Sequence, residues 1–148
     1  MNKLYLWQIA VLVAAIVALM WIAALLVSAR LTGWSRLVRR YPAVRESEGE
    51  RIWFGLTFFR RFAYRNLVYA RASATHLHIA MVWPLCFFGH APFSVPWADI
   101  SAEPGRLLAW RKVISFRLAG VPDVPLHLLT SDGERVIEAS RGHMQPNR

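Results

Sequence analysis

The chain has 148 residues, a hydrophobic fraction of 55% and a formal net charge of +9 at pH 7. That length leaves room for one domain besides a membrane anchor, since independent domains usually have about 100–150 residues. The single cysteine, Cys86, excludes an intrachain disulfide, so the fold must rest on the burial of apolar surface.

A long uncharged segment follows a three-residue N-terminal tail (residues 1–3). No Asp, Glu, Lys or Arg occurs from Leu4 to Ala29. A helix rises about 1.5 Å per residue, so this segment exceeds the roughly 30 Å hydrocarbon core of a bilayer. It predicts a single transmembrane helix over residues 4–29. A cleaved signal peptide ending at Val27-Ser28-Ala29 is the alternative, but its apolar core usually has only about 7–15 residues.

Arginines cluster directly after the predicted span, whereas only Lys3 and the terminal amine precede it. Basic residues next to a span favour the cytoplasmic side of the membrane. We therefore expect a single-pass membrane protein with its C-terminal domain in the cytoplasm. The arginines concerned are Arg30, Arg36, Arg39, Arg40 and Arg45.

Residues 30–50 are predicted to form a basic juxtamembrane helix and a linker. The helix is indicated by apolar residues at helical spacing, namely Trp34, Leu37, Val38 and Tyr41. We interpret it as an amphipathic helix lying on the bilayer, where each basic residue gains about 1 kcal/mol near anionic lipid. Recognition of a particular lipid is the sharper alternative, and a topology signal with non-specific attraction is the interpretation that we favour. The predicted membrane- or lipid-binding residues are Arg30, Trp34, Arg36, Arg39 and Arg40.

Residues 51–141 are predicted to form a mainly-β domain, and residues 142–148 a flexible tail. Short aromatic and β-branched runs alternate with turn residues, as is typical of an antiparallel sandwich or barrel. We expect turns at Ala102–Gly105 and at Ser131–Gly133, the second as a tight hairpin. The predicted strands are Ile52–Phe59, Leu67–Ala72, His76–Val82, Leu85–Phe88, Phe93–Ile100, Arg111–Arg117, Pro125–Leu129 and Glu134–Ala139.

The run from His90 to Ile100 carries a distinctive spacing of the form H-x-P-φ-x-φ-P-W-x-x-I, where φ is an apolar residue. With this motif, the chain resembles a family of uncharacterised bacterial membrane-anchored proteins that have a PH-like or GRAM-like β domain. The resemblance implies an antiparallel PH-like sandwich or barrel that closes with a C-terminal helix, for which only Glu134–Arg141 remains. The motif residues, structural or binding, are His90, Pro92, Pro96, Trp97 and Ile100.

The end of this motif also has a plain physical interpretation. Pro96 lacks a backbone donor and belongs at a strand edge or bend. Trp97 offers a large side chain to close one end of the sandwich, and Ile100 would follow into the core. We therefore expect Trp97 to be buried and to have a structural role.

The sequence offers no clear constellation for chemistry. His76 and His78 would share a strand face and Cys86 could lie near His90, but no CxxC, HxxxH or HExxH spacing occurs. No close pair of acids, nucleophile elbow or glycine-rich phosphate loop is present either. We assign no catalytic residue and expect neither a metal nor another cofactor.

These features together predict a non-catalytic binding module on the cytoplasmic face of the membrane. Its expected partners are the lipid bilayer, through anionic headgroups, and a membrane or cytoplasmic protein. The alternative is an enzyme or accessory subunit whose site is assembled with a partner, which a convergence of His76, His78, His90 and Asp99 would indicate. A third possibility is nucleic-acid binding by the basic aromatic segment Trp53–Arg71, but no RNP or cold-shock motif supports it, so nucleic acid is not an expected partner.

Overall fold

A computed structural model of the chain describes residues 3–45, 49–60, 62–107 and 110–141. The predicted tail at residues 142–148, part of the linker (residues 46–48) and residues 1–2 lie outside the described residues. The helices are α1 (Lys3–Leu31), α2 (Trp34–Arg40) and α3 (Thr130–Ala139). The strands are β1 (Arg51–Phe59), β2 (Phe62–Ala72), β3 (His76–Met81), β4 (Phe93–Pro96), β5 (Ile100–Leu107), β6 (Arg111–Leu118) and β7 (Leu126–Leu129).

Helix α1 is long and apolar enough to cross a bilayer, with a mean hydropathy of 3.0 over its most apolar stretch. None of that stretch is buried in the protein, and large apolar side chains such as Leu12 and Leu19 are exposed along it. A core helix of the domain would be mostly buried. The prediction of a long apolar N-terminal helix followed by a mainly-β domain is confirmed.

The β domain consists of two antiparallel meanders, β1–β4 and β5–β7, joined where β7 pairs with β1. The strand order is β4-β3-β2-β1-β7-β6-β5. The joining ladder places Phe59 opposite Leu126 and Thr57 opposite Leu128. Strands β1, β3, β6 and β7 agree with their predicted bounds to within one residue, whereas β2 begins five residues before the predicted Leu67. Apolar and polar residues alternate in these strands with the two-residue period of a half-buried strand.

Helix α2 forms as predicted, but it does not lie with its apolar face on the bilayer. Trp34 and Leu37 are fully buried in the core of the β domain, and Tyr41 is 4% exposed. Gly33, at φ +84°, brings the chain so close to Val124 that a Cβ there would lie 2.6 Å from a Val124 methyl group. The predicted helix is confirmed, whereas the prediction that its apolar face lies on the bilayer is wrong.

The segment between β3 and β5 differs from its prediction in two places. Leu85–Phe87 is a 3₁₀ turn, although the sequence predicts a strand there. The predicted strand Phe93–Ile100 is split, because β4 ends at Pro96 and a second 3₁₀ turn covers Trp97–Asp99. Proline and the aromatic residue after it turn the chain from one meander to the other.

The expected turn at Ala102–Gly105 is also wrong, since these residues belong to β5. Pro104 pairs with Ile114 of β6, and β5 is the last strand in the sheet order. On such an edge a proline costs no ladder hydrogen bond, because its missing N–H would point away from the neighbouring strand.

The C-terminal element is helix α3, which replaces the predicted hairpin at Ser131–Gly133 and the predicted strand Glu134–Ala139. Asp132 lies in its first turn, and one carboxylate oxygen accepts a 2.9 Å hydrogen bond from the Gly55 N–H. A Cβ at Gly133 would lie 2.7 Å from the Ile114 Cβ, so the glycine lets the helix approach β6 closely. The Ser-Asp-Gly run thus begins a helix, which its turn-like composition did not reveal.

Candidate functional site

The end of α1 and the β domain meet in a tight contact, which we call the junction and define by Ala29, Thr32, Trp34, Tyr64 and His90. Ala29 is 1% exposed and Thr32 fully buried. The Trp34 ring packs against aromatic neighbours, and its Nε1–H donates a 2.8 Å hydrogen bond to the Ala91 carbonyl. The domain therefore begins directly at the end of α1, without an intervening linker.

His90, the first residue of the sequence motif, lies inside the junction and is fully buried. Its Nδ1 lies 3.1 Å from the Phe88 carbonyl, and its Nε2 lies 2.9 Å from the Tyr64 hydroxyl. A carbonyl can only accept, so Nδ1 carries the proton and Nε2 accepts from the Tyr64 O–H. Burial lowers the pKa of His90 and raises the pKa of Tyr64, so both are neutral at pH 7. Both ring nitrogens are engaged, which gives His90 a structural role.

The rest of the motif is also built into the fold. Trp97 is 2% exposed and its Nε1–H donates a 2.9 Å hydrogen bond to the Ser73 carbonyl. Ile100 is 1% exposed, and Pro96 pairs with His76 at the end of β4. Of the five motif residues His90, Pro92, Pro96, Trp97 and Ile100, only Pro92 is exposed. The expected burial of Trp97 is confirmed.

Two arginines near the junction share one carboxylate. The Arg36 guanidinium forms a two-pronged ion pair with Asp123, and Arg60 Nη2 lies 3.0 Å from the same carboxylate. The pair with Arg36 holds the pKa of Asp123 below its usual range, with Arg60 adding to the effect. The cluster is exposed and keeps one net positive charge. Sequence reasoning missed Asp123 and Arg60, since no local pattern links residues 87 and 63 positions apart.

The other predicted lipid-binding residues differ in their exposure and in their contacts. Arg30 and Arg39 are exposed and form no ion pair within the part of the chain that the structure describes. The Arg40 guanidinium lies 5.5 Å from the centre of the Tyr41 ring. Trp34, also predicted to bind lipid, is in the core, where its ring cannot reach a headgroup. Arg30, Arg39 and Arg40 are thus exposed basic side chains without an ion pair in the part of the chain that the structure describes.

The four polar residues that would indicate an enzyme site do not converge. His78 bonds to the hydroxyls of Ser94 and Ser73, at 2.8 and 3.0 Å. Asp99 accepts a 3.0 Å hydrogen bond from the Tyr41 hydroxyl, and His90 lies in the junction. His76 lies beside His78 on one strand face, as predicted, with ring centres 6.0 Å apart. Among residues 3–45, 49–60, 62–107 and 110–141, no group of three or more His, Cys, Asp or Glu side chains could hold a metal ion.

An open pocket of about 290 Å³ lies on the face of β2, β3 and β4 that points away from the core. No carboxylate is among its described lining residues, so the acid–base pair of a hydrolytic site is not found there. Next to it, the Trp53 ring packs against Tyr69 at an angle of 47°, with 5.1 Å between ring centres, and the Arg51 guanidinium lies 5.1 Å from the centre of the Tyr69 ring. The lining includes Tyr69, Arg71, His78, Met81, Cys86 and Ser94.

No protein-family model, curated protein or solved structure matches this chain. The function is therefore inferred from the geometry of the chain itself.

Proposed function

We propose that this protein is a single-pass, non-catalytic binding module of a bacterial plasma (inner) membrane, whose β domain engages anionic lipid headgroups on the cytoplasmic face. The observation that carries the proposal is the junction. Because Ala29 and Thr32 are buried against the domain, the domain is held at the end of α1. The arginines that follow α1 are therefore kept close to the membrane surface. Each exposed arginine there gains about 1 kcal/mol from an anionic leaflet.

We further propose that the β domain is PH-like. Three features support this: seven antiparallel strands in two meanders, the order β4-β3-β2-β1-β7-β6-β5, and the C-terminal helix α3. The family resemblance carried by the His90–Ile100 motif implied a closing C-terminal helix. The residue pattern alone had instead predicted a strand over Glu134–Ala139. The dispersed polar residues give no support to an enzyme.

A protein partner is the second candidate ligand, and the outer face of the β1–β4 meander favours it. Trp53 is 45% exposed, although it is large and apolar. With Tyr69 and Arg51 it presents the aromatic and arginine side chains that are enriched at protein interfaces. Copurification in mild detergent can identify such a partner as a protein that accompanies the parent and is lost from the Trp53→Ala variant.

Headgroup engagement can be tested by energy transfer from tryptophan to pyrene-labelled lipid. The full-length protein is reconstituted into vesicles with labelled phosphatidylglycerol or labelled phosphatidylcholine, and the transfer efficiencies are compared. We expect more transfer to phosphatidylglycerol, and we expect the double variant Arg30→Gln, Arg39→Gln to lose most of that preference. Equal transfer to both lipids in the parent protein would overturn the proposal.

The double variant Arg106→Gln, Arg111→Gln serves as the matched control, because it removes the same charge from the β5–β6 hairpin. Arg111 is five residues from Phe116, which pairs with Leu126 beside the junction end of β1. At about 3.3 Å per residue the hairpin end is roughly 16 Å farther along the strand. The control should keep the lipid preference of the parent.

The cytoplasmic side is tested separately with reporters fused after Arg148. A reporter that works only in the cytoplasm should be active there. Activity of a reporter that requires the periplasm would reverse the orientation and remove the anionic leaflet from the proposal.

A further inference from the structure

The loop between β3 and β4 exposes two large aromatic side chains. We call residues Trp83–Phe88 the aromatic loop. Trp83 is 77% exposed and Phe87 is 72% exposed. Outside α1, only Trp110 in the described part of the chain exposes a comparable fraction of a large apolar side chain, at 79%. Exposing such rings to water is unfavourable, so their surroundings are informative.

The residue that follows the aromatic loop, Gly89, lies against the last turns of α1. A Cβ at Gly89 would be 3.0 Å from the Ala29 Cβ and 3.4 Å from a Leu26 methyl group. Leu26 is five residues before the end of α1, which corresponds to about 7.5 Å along the helix axis. This contact places the C-terminal end of the loop at the level of α1 that would lie at the boundary between lipid tails and headgroups.

The loop is also chemically suited to that boundary. It contains no charged residue. Its backbone is held by hydrogen bonds from the Phe87 N–H to the Pro84 carbonyl, at 3.1 Å, and from the Phe88 N–H to the Leu85 carbonyl, at 3.0 Å. Internally bonded backbone groups lower the cost of entering a region poor in water. Tryptophan is enriched at this level of membranes because its ring is apolar and its N–H is polar.

Trp110 provides the contrast. It lies in the β5–β6 hairpin beside Arg111 and Lys112, and Arg106 precedes it on β5. Exposure alone therefore does not distinguish the aromatic loop from this hairpin. The contact of the adjoining Gly89 with α1 and the absence of charge from the loop do.

We infer that the aromatic loop inserts Trp83 and Phe87 into the interfacial layer of the bilayer that α1 spans. The inference rests on the proposed function, since it requires α1 to be in a membrane. A single helix can tilt in the bilayer, and the domain packed against its end tilts with it, whereas a second attachment beside the helix fixes which face meets the headgroups. The loop would thus orient the exposed arginines towards the lipid surface.

The test uses nitroxide spin labels on the full-length protein in vesicles. Cys86 is replaced (Cys86→Ser), and single labels are attached to Trp83→Cys, Phe87→Cys and the control Trp110→Cys. The accessibility of each label to oxygen, which concentrates in lipid, is compared with its accessibility to a water-soluble nickel complex. Vesicles of phosphatidylcholine alone are used beside vesicles containing phosphatidylglycerol, because apolar insertion does not require anionic lipid.

We expect the ratio of oxygen to nickel accessibility to exceed one at positions 83 and 87 and to fall below one at position 110. Two labelled positions keep the test valid where one variant does not fold. Ratios at 83 and 87 that match position 110 would overturn the inference. Shielding of both positions from both reagents would also overturn it, because a second copy or another protein would then cover the loop.

A further label at Leu12→Cys separates this inference from the proposed function. Leu12 is 61% exposed in the middle of α1 and must be lipid-accessible for any membrane role. A lipid-like signal at position 12 with water-like signals at 83 and 87 refutes the loop insertion alone. A water-like signal at position 12 refutes both. Loss of the phosphatidylglycerol preference with insertion intact refutes only the headgroup proposal.

Discussion

Replacing Trp34 with alanine tests whether α2 belongs to the core of the domain or to the membrane surface. Trp34 is fully buried, packs against Phe59 and Phe93, and donates a hydrogen bond to the Ala91 carbonyl. Truncating a buried tryptophan to alanine typically lowers the free energy of unfolding by about 3–5 kcal/mol. We expect a value near the upper end, because the Ala91 carbonyl also loses this donor.

The assay is thermal unfolding of the full-length protein in mild detergent, followed by near-ultraviolet circular dichroism. For a domain of about 100 residues, each kcal/mol lowers the melting temperature by about 4–8 °C. With a loss near 5 kcal/mol, Trp34→Ala should therefore melt about 20 °C or more below the parent. Trp34→Phe should fall between them, since it keeps most of the ring volume and lacks the donor. Trp110→Ala is the control, because Trp110 is 79% exposed and its loss should change stability by less than about 0.5 kcal/mol.

One result would refute this reasoning directly. If Trp34→Ala melts like the parent and instead loses its preference for phosphatidylglycerol, then the ring contacts lipid. The apolar face of α2 would then lie on the bilayer, as its sequence pattern first suggested.

Three further predictions follow from other buried or paired groups. Trp97→Ala should lower the free energy of unfolding by about 3–5 kcal/mol without changing lipid preference, and an unchanged melting temperature would show that Trp97 belongs to a binding site. Arg36 lowers the pKa of Asp123, so this ion pair stabilises the folded protein above about pH 4 and loses its effect as the carboxylate is protonated at lower pH. Asp123→Asn should therefore melt below the parent at neutral pH, and the difference between their melting temperatures should narrow below about pH 4. Burial lowers the pKa values of His90 and His127, so on acidification these histidines are protonated in the unfolded chain at a higher pH than in the folded protein. The melting temperature should therefore fall as the pH drops from about 6.5 to 5. The fall should be less steep in His127→Asn, which lacks one of the two histidines. A melting temperature that does not change over this range would contradict the burial of these rings.

Elements with a local signal were predictable from the order of the amino acids. The absence of charge from Leu4 to Ala29 specifies α1, because the polarity of each side chain and the length of the run are sufficient to make a helix long enough to span. Alternation specifies β3, where Leu77, Ile79 and Met81 face the core. The helical spacing of α2 and the burial of Trp97 were predictable for the same reason, since a side chain's size and period are properties of the sequence.

Tertiary structure decided which surfaces meet. Helical spacing places Trp34 and Leu37 on one face of α2, but whether lipid or the β domain covers that face depends on Phe59 and Phe93, distant in sequence. The pairing of Arg36 with Asp123 joins residues 87 positions apart.

Local composition also assigned turns to two segments that long-range contacts place in regular structure. Pro104 lies within β5 because that strand is at the edge of the sheet, and Gly133 lies within α3 because the helix must approach Ile114 closely. The aromatic loop is a similar case: the sequence predicts a strand over Leu85–Phe88, and the folded chain forms a 3₁₀ turn there that leaves Phe87 exposed. Periodicity and polarity describe a segment's own faces, whereas the partner of each face is set by contacts that only the folded chain forms.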